Sequence, residues 1–433
     1  MHTSKNTGDE RMARRAGWAS FIGTTVEWYD FYLYAAASAL VFAPLFFDSA
    51  PPAVGVLLSF ATFWVGFLAR PLGSIFFGHL GDRVGRKKAL VSTMLLMGIS
   101  SVGIGLLPTS AQIGVWAPIM LAVLRMAQGF AVGGEWGGAV LIATEHADPR
   151  RGYVFGAFAQ QGSPAGRILS TLAFLLVSQL PKEELLAWGW RVPFLASFVL
   201  VAVGLMIRLG LAETPAMVEL QQEQRTARVP FAELIRGHSP AVLLGMGAVL
   251  IVFVLVYARD TFALAWATTS LGFTASDFLL IVLLSSVVQF IVQPFGVVLA
   301  ARWGVRRAVT VLLSLVVPAL PAMFLLIGTG NWWLALLGAV VATIPDVMFY
   351  AIMAGMFAEA FPANIRYSGI STTYALSGTV GGATPVIMQG LATLTGSIIA
   401  PIGFAVTVAV LGVFCARAFI DLAARARQDE AIT

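Results

Sequence analysis

Apolar residues gather into twelve long runs, near residues 17–45, 53–80, 89–107, 116–143, 152–180, 191–210, 240–266, 277–300, 307–328, 332–358, 367–394 and 399–420, separated by charged or Pro/Gly-rich breaks. A helix crosses the ~30 Å hydrocarbon layer in about 20 residues, so each run is long enough to span a membrane once. The pattern predicts an all-α membrane protein with twelve transmembrane helices. The first run is too long for a signal peptide, carries acids and lacks a small-residue cleavage site behind a short apolar core. The longest polar stretch between runs, about 212–236, follows the sixth. It divides the chain into an N-terminal six-helix bundle (1–211), a cytoplasmic linker (212–238) and a C-terminal six-helix bundle (239–433).

Composition agrees. Of 433 residues, 58% are hydrophobic and 11% charged, and the mean hydropathy is +0.85; soluble chains carry roughly 45–50% and about 25%. So few charges cannot cover a soluble surface, so most of the surface faces lipid. Secreted, nucleic-acid-binding and disulfide-framed classes are excluded, and the one cysteine, Cys415, can form no intrachain disulfide. The net charge of +5 is explained by position. With both termini on one side, 21 of the 27 basic residues fall on that side, and the outer loops keep only Lys182 and Arg191. Positive charge collects on the cytoplasmic side. This predicts cytoplasmic termini in an inner membrane, with no nucleic-acid partner.

The two halves carry matching punctuation. After the second run comes Gly78-His79-Leu80-Gly81-Asp82-Arg83-Val84-Gly85-Arg86-Lys87-Lys88; after the eighth, Leu299-Ala300-Ala301-Arg302-Trp303-Gly304-Val305-Arg306-Arg307. After the fourth comes Glu145-His146-Ala147-Asp148-Pro149-Arg150-Arg151-Gly152; after the tenth, Glu359 to Gly369. Paired punctuation is the mark of a duplicated transporter fold, with its binding site near the bilayer midplane between the halves.

These residues resemble the major facilitator superfamily. Gly78 to Lys88 is similar to its cytoplasmic loop signature, and Arg125-Met126-Ala127-Gln128-Gly129, continuing to Gly133-Gly134-Glu135, resembles its fourth-span motif linked to proton coupling. Gly23-Thr24-Thr25-Val26-Glu27-Trp28-Tyr29-Asp30-Phe31, with Arg70-Pro71-Leu72-Gly73, narrows the resemblance to the metabolite:proton symporter family. The resemblance covers essentially the whole chain. It implies two pseudo-symmetric six-helix bundles and proton-coupled uptake of citrate, 2-oxoglutarate, shikimate or proline/betaine-type cargo. There are two departures. Ala301 stands where the first half has Asp82, so a charge lock there is one-sided, and Arg167 stands where the family pattern is uncharged.

Four arginines, Arg70, Arg125, Arg167 and Arg259, lie inside apolar runs with Glu27, Asp30, Glu135, Asp260 and Asp346. A charge at the bilayer centre costs ~2.5–3.5 kcal/mol even on lenient scales, so such residues signal function or close pairing. Glu27, Asp30, Arg125, Glu135 and Asp346 are the candidates for proton coupling. Glu27 and Asp30 share a helix face with Tyr34; the bland alternative is permanent pairing with an arginine. Arg125 is expected to pair with Glu135 or a span-one acid. Arg167 is the candidate ligand of an anionic substrate, because a guanidinium grips a carboxylate in bidentate fashion; the alternative is pairing with Asp346 or a span-one acid. Arg125, Tyr34, Trp28, Gln128, Tyr29 and Arg259 complete the expected binding set. Arg259 and Asp260, being adjacent, are expected to point to different faces, with Arg259 near the outer surface. Arg70, Gly78, Asp82, Arg83, Gly85, Arg86 and Lys87 are expected to gate the cytoplasmic side, Glu145 serving as a partner.

The chain therefore reads as a monomeric carrier, not an enzyme, moving a small organic acid with protons by alternating access. It needs no cofactor, metal or catalytic residue. The alternatives are uptake of a zwitterionic osmolyte, proton-driven drug export and a non-transporting sensor. An ATP-driven pump lacks its Gly-x4-Gly-Lys-Ser/Thr loop.

Overall fold

A computed structural model describes residues 3–145, 158, 160–210, 213, 217–219 and 230–432. Among them there is no strand, and each of the twelve apolar runs carries a helix. In chain order these are α1 (Thr3–Leu40), α2 (Pro52–Arg83), α3 (Arg86–Leu106), α4 (Trp116–Glu145), α5 (Gly162–Val177) and α6 (Arg191–Leu209). In the second half, α7 runs from Pro230 through a π-helical turn, Ala258–Ala263, to Ser270, and α8 comprises Ala275–Val292 and Phe295–Trp303, bent by 42°. Then follow α9 (Val305–Ile327), α10 (Trp332–Ala358), α11 (Arg366–Gly381, continued as Thr384–Thr395) and α12 (Ile399–Ile432).

Eight of these are, each alone, long and apolar enough to cross a membrane, and bent α8 makes a ninth. The other three fall short for visible reasons. Helix α1 carries acids and a polar beginning, α5 is described only from Gly162, and α11 is rich in Ser, Thr and Gly and breaks near Pro385. Most of 212–229 and the Glu145 side chain lie outside the described residues; 230–238, assigned to the linker, begins α7.

Small residues set how closely the helices pack. A Cβ on Gly129 would lie 1.7 Å from the Gly66 carbonyl oxygen, and one on Gly166 would lie 2.5 Å from that of Thr25. The α2–α4 and α1–α5 pairs thus pack backbone to backbone, as small-residue membrane interfaces do. The second half repeats the device, with Gly296 of α8 against the Met348 carbonyl of α10. The two halves also share a turn: Gly85 between α2 and α3 has φ 138°, and Gly304 between α8 and α9 has φ 79°. Both lie in the region open to glycine but strained for other residues.

The bundles meet along α2–α11 and α5–α8. At the end carrying the basic turns, the Asp82 carboxylate accepts from Ser368 N at 2.9 Å and Ser368 Oγ at 2.8 Å. Tyr367 Oη donates to the Gly134 carbonyl at 2.7 Å, and Gln161 Nε2 to that of Phe290 at 2.7 Å. Nearer mid-depth, Thr379 Oγ1 donates to the Phe67 carbonyl at 2.8 Å, and Phe31, Phe63 and Phe67 pack around Tyr257. The basic end is closed.

Candidate functional site

Two narrow cavities that carry charged side chains lie at mid-depth. The first is walled by the N-terminal bundle: Glu27 and Asp30 from α1, Arg70 from α2, and Arg125 and Gln128 from α4. Its groups are largely held. Asp30 accepts from Ser101 Oγ at 2.6 Å and from Ser197 Oγ. Arg125 Nη1 donates to Gln128 Oε1 at 3.1 Å, and Gln128 Nε2 donates to Ser101 Oγ at 2.7 Å. The Arg125 guanidinium lies 4.2 Å from the Tyr34 ring centre, and that of Arg70 lies 4.3 Å from Phe67. Glu27 Oε2 and Arg125 Nε are buried without a hydrogen bond, and Arg70 is set against the Phe31 and Phe67 rings.

The second cavity lies between the bundles. Trp28, Tyr32, Ser163 and Arg167 face it from the N-terminal bundle, and Tyr257, Gln289, Asp346, Tyr350 and Tyr374 face it from the C-terminal bundle. Arg167 is 1% exposed. Its Nη2 donates to Tyr32 Oη, its guanidinium lies 4.4 Å from the Tyr32 ring centre, and Nη1 stands 3.2 Å from Asp260 Oδ2 across the interface. Asp260 is also gripped by its neighbour: Arg259 Nε donates to Oδ1 at 2.6 Å and Nη2 to Oδ2 at 3.1 Å. Arg259 Nη1 reaches Thr343 Oγ1.

The π-helical turn explains this pair. Its wider spiral lets adjacent side chains curl together, and such turns mark functional positions. The expectation that Arg259 and Asp260 diverge, with Arg259 near the outer surface, is corrected. Arg259 is 1% exposed and backs the cavity through Asp260.

Other pairings also differ from expectation. Glu135 pairs with Arg208 of α6 and Thr93 of α3, not with Arg125. Space for that guanidinium is left by Gly23, where a Cβ would lie 1.9 Å from Arg208 Nη2. Arg208 went unrecognised because it sits near the end of α6; its apolar neighbours Ile207 and Leu209 were the available signal. Tyr29 donates to the Pro193 carbonyl and Tyr34 to Thr62 Oγ1, each at 2.8 Å, and neither lines either of these two cavities. Gln289 also went unrecognised, although Gln289 and Gln293, spaced i and i+4, form a polar stripe on a largely apolar helix.

At the basic end, Asp82 Oδ1 accepts from Arg86 Nη1 at 2.5 Å while Oδ2 caps the start of α11. Arg86 Nη2 donates to the Ala363 carbonyl at 3.2 Å, Lys87 Nζ to that of Leu209 at 2.7 Å, and Gly78 lies against Ser368. Arg83 is exposed. In the second-half turn Ala301 is exposed and offers no side-chain acceptor; Arg306 instead pairs with Asp421 of α12, at 2.8 Å, within its own bundle.

Two helix bundles closing on a polar cavity at mid-depth define a membrane carrier. Residues 17–243 match the family described as "Sugar (and other) transporter". The chain is 38% identical over 385 residues to the inner membrane metabolite transport protein YhjE of Escherichia coli (strain K12), covering 87% of this chain and 88% of that one. It is 41% identical over 386 residues to the shikimate transporter of the same organism, covering 88% of each. It is 34% identical over 418 residues to the glycine betaine/proline/ectoine/pipecolic acid transporter OusA of Dickeya dadantii (strain 3937), covering 93% and 82%. The fold matches the major facilitator superfamily proton:xylose symporter XylE bound to 6-bromo-6-deoxy-D-glucose, with a TM-score of 0.75 at 14% identity, covering 94% and 95%. The chain belongs to the sugar (and other) transporter family of the major facilitator superfamily: it is a membrane transporter, not an enzyme.

Proposed function

We propose that this carrier takes up a small organic carboxylate together with protons, by alternating access, as a monomer in the inner membrane with both termini cytoplasmic. One observation carries the reading. Six buried polar atoms from both bundles surround the inter-bundle cavity without a hydrogen bond: Trp28 Nε1, Arg167 Nε and Nη1, Tyr257 Oη, Gln289 Oε1 and Asp346 Oδ1. A buried polar atom left unmade costs ~1–3 kcal/mol. Six of them around one cavity suit a protein whose polar groups are completed by cargo. Arg167 supplies the paired N–H groups that suit a carboxylate.

The cavity is narrow, so cargo enters as the bundles part. Parting at the basic end breaks the Asp82 bonds to α11, which makes Asp82, Arg86, Lys87 and Gly78 the cytoplasmic gate; Gly85 shapes the turn that carries them. Arg70, set against Phe67 and beside Gly378 of α11, joins that motion. Glu27, Asp30, Arg125, Gln128 and Glu135 hold the first bundle together and offer further carboxylates for protons. The shikimate transporter among the relatives is consistent with acid cargo.

A second reading has its own observation. Trp28, Tyr32, Phe253, Tyr257, Tyr350 and Tyr374 line the same cavity, and aromatic faces bind quaternary ammonium groups. Cargo would then be a zwitterionic osmolyte, in line with the OusA relative. A thermal-shift panel of carboxylates, betaines and cationic drugs separates the two. Acid cargo predicts stabilisation by carboxylates that is lost in Arg167→Ala; osmolyte cargo predicts stabilisation by betaines that survives Arg167→Ala and is lost in Trp28→Ala. In proteoliposomes, uptake unchanged by a protonophore would refute proton coupling.

A further inference from the structure

By formal charge, the buried ionisable side chains among the described residues fall into groups, each summing to zero. Within the first bundle, Glu27 and Asp30 face Arg70 and Arg125 around one cavity, and Glu135 is matched by Arg208. Between the bundles, Arg167 and Arg259 are matched by Asp260 and Asp346. An uncompensated charge at such depth is costly. A carboxylate arriving at Arg167 therefore brings the inter-bundle group to a net charge of minus one unless a proton arrives with it.

Of the two acids there, Asp260 accepts two hydrogen bonds from Arg259 and lies 3.2 Å from Arg167 Nη1, and it cannot accept a proton without disturbing these contacts. Asp346 follows Pro345 on α10, is 1% exposed, and its Oδ1 has no partner. The groups facing it are Arg167 from α5, Tyr32 from α1, Tyr257, Arg259 and Asp260 from α7, Gln289 from α8, Tyr350 from its own helix and Tyr374 from α11; α9 has charged residues only at its start. None of these gives it a close ion pair. We infer that Asp346 takes up the proton that accompanies the carboxylate, so that charge balance in the inter-bundle cavity itself couples cargo to proton. The inference rests on the reading of Arg167 as the carboxylate's partner. The proton enters from the side open to solvent, binds Oδ1, and leaves when the cavity opens to the other side and the anion departs.

The linkage has a definite sign. Binding of the anion raises the proton affinity of Asp346, and protonation raises the affinity for the anion by the same factor. Carboxylate affinity is then greatest at low pH and falls about tenfold per pH unit once Asp346 is ionised in the empty carrier.

The test uses purified full-length protein and the carboxylate giving the largest shift in the thermal panel. Proton uptake is followed with an indicator dye in weak buffer, and dissociation constants are measured across neutral pH. The wild type is expected to take up one proton per bound carboxylate. Asp346→Asn is expected to bind with a pH-independent constant, take up no proton, and exchange labelled for unlabelled carboxylate without accumulating it against a gradient. If Asp346→Asn still takes up one proton, or Glu27→Gln or Asp30→Asn abolishes that uptake instead, the assignment is overturned. Should Asp346→Asn fail to fold, Asp346→Glu decides: a pH profile displaced toward higher pH supports the assignment, and an unmoved profile overturns it. A panel in which no carboxylate stabilises the protein refutes the cargo reading itself, an outcome separate from these.

Discussion

The cavity inside the first bundle is lined by two carboxylates and two guanidiniums; the cavity between the bundles is lined by one of each, Asp346 and Arg167, with the Arg259–Asp260 pair behind them. They differ in what those groups already hold. In the first, Asp30, Ser101, Gln128 and Arg125 form a chain of hydrogen bonds within one bundle. In the second, the ion pair that crosses the interface is a single 3.2 Å approach, and six polar atoms wait unmade. On the proposed reading, charge in this protein has two uses that composition cannot separate: fastening helices and receiving a guest. The deciding feature is whether the partners come from one rigid body or from two.

That contrast can be broken experimentally, and the largest effect belongs to the fastened side. Arg208→Ala strands Glu135 beside Thr93 alone, and breaking a buried pair costs ~3–5 kcal/mol. Melting temperature and folded yield should drop steeply. If they do not, the fastening role is wrong. Arg167→Ala is expected to do the reverse. Asp260 keeps Arg259, so the melting temperature falls less than in Arg208→Ala even though the inter-bundle group is left one negative charge in excess, while carboxylate binding weakens by about 30-fold or more, corresponding to ~2 kcal/mol or above for a lost charge partner. Equal affinity in wild type and variant would erase the distinction between the cavities. Asp82→Asn removes a buried charge that joins Arg86 to α11 and should shift the gate by ~1–2 kcal/mol. The readout is faster maleimide labelling of a cysteine placed at Ala363; unaltered labelling would show that the bundles are held elsewhere. Arg306→Ala is the smallest. It breaks an exposed pair inside one bundle, and no measurable change in melting temperature or labelling is expected; a clear change would put the second-half turn on a par with the first.

Much of the fold was legible because membrane spans need long apolar runs and the inner side collects Lys and Arg. The twelve runs each became a helix, and the punctuation at Gly85 and Gly304 became matching turns. The site was legible only in part. Buried charge announced Arg167, Asp346, Glu27, Asp30 and Arg125, because each interrupts an apolar run. Partnership did not follow from depth. Helical spacing puts Arg259 and Asp260 on different faces, and only the π-helical turn brings them together. Depth alone also pointed Glu135 at Arg125, whereas the third dimension supplied Arg208 from a neighbouring helix. Tyr29 and Tyr34 lie on the right helix, but their hydroxyls turn to Pro193 and Thr62 inside the bundle.

The asymmetry between Asp82 and Ala301 bears on how the closed end comes apart. One seam, α2 against α11, is bolted by a carboxylate; the turn that mirrors it carries a methyl group and spends its arginine on its own bundle. Among the described residues the carboxylate clasp is thus one-sided, and Asp82→Asn is expected to loosen the α2–α11 seam more than any change at exposed Ala301 loosens the mirror turn.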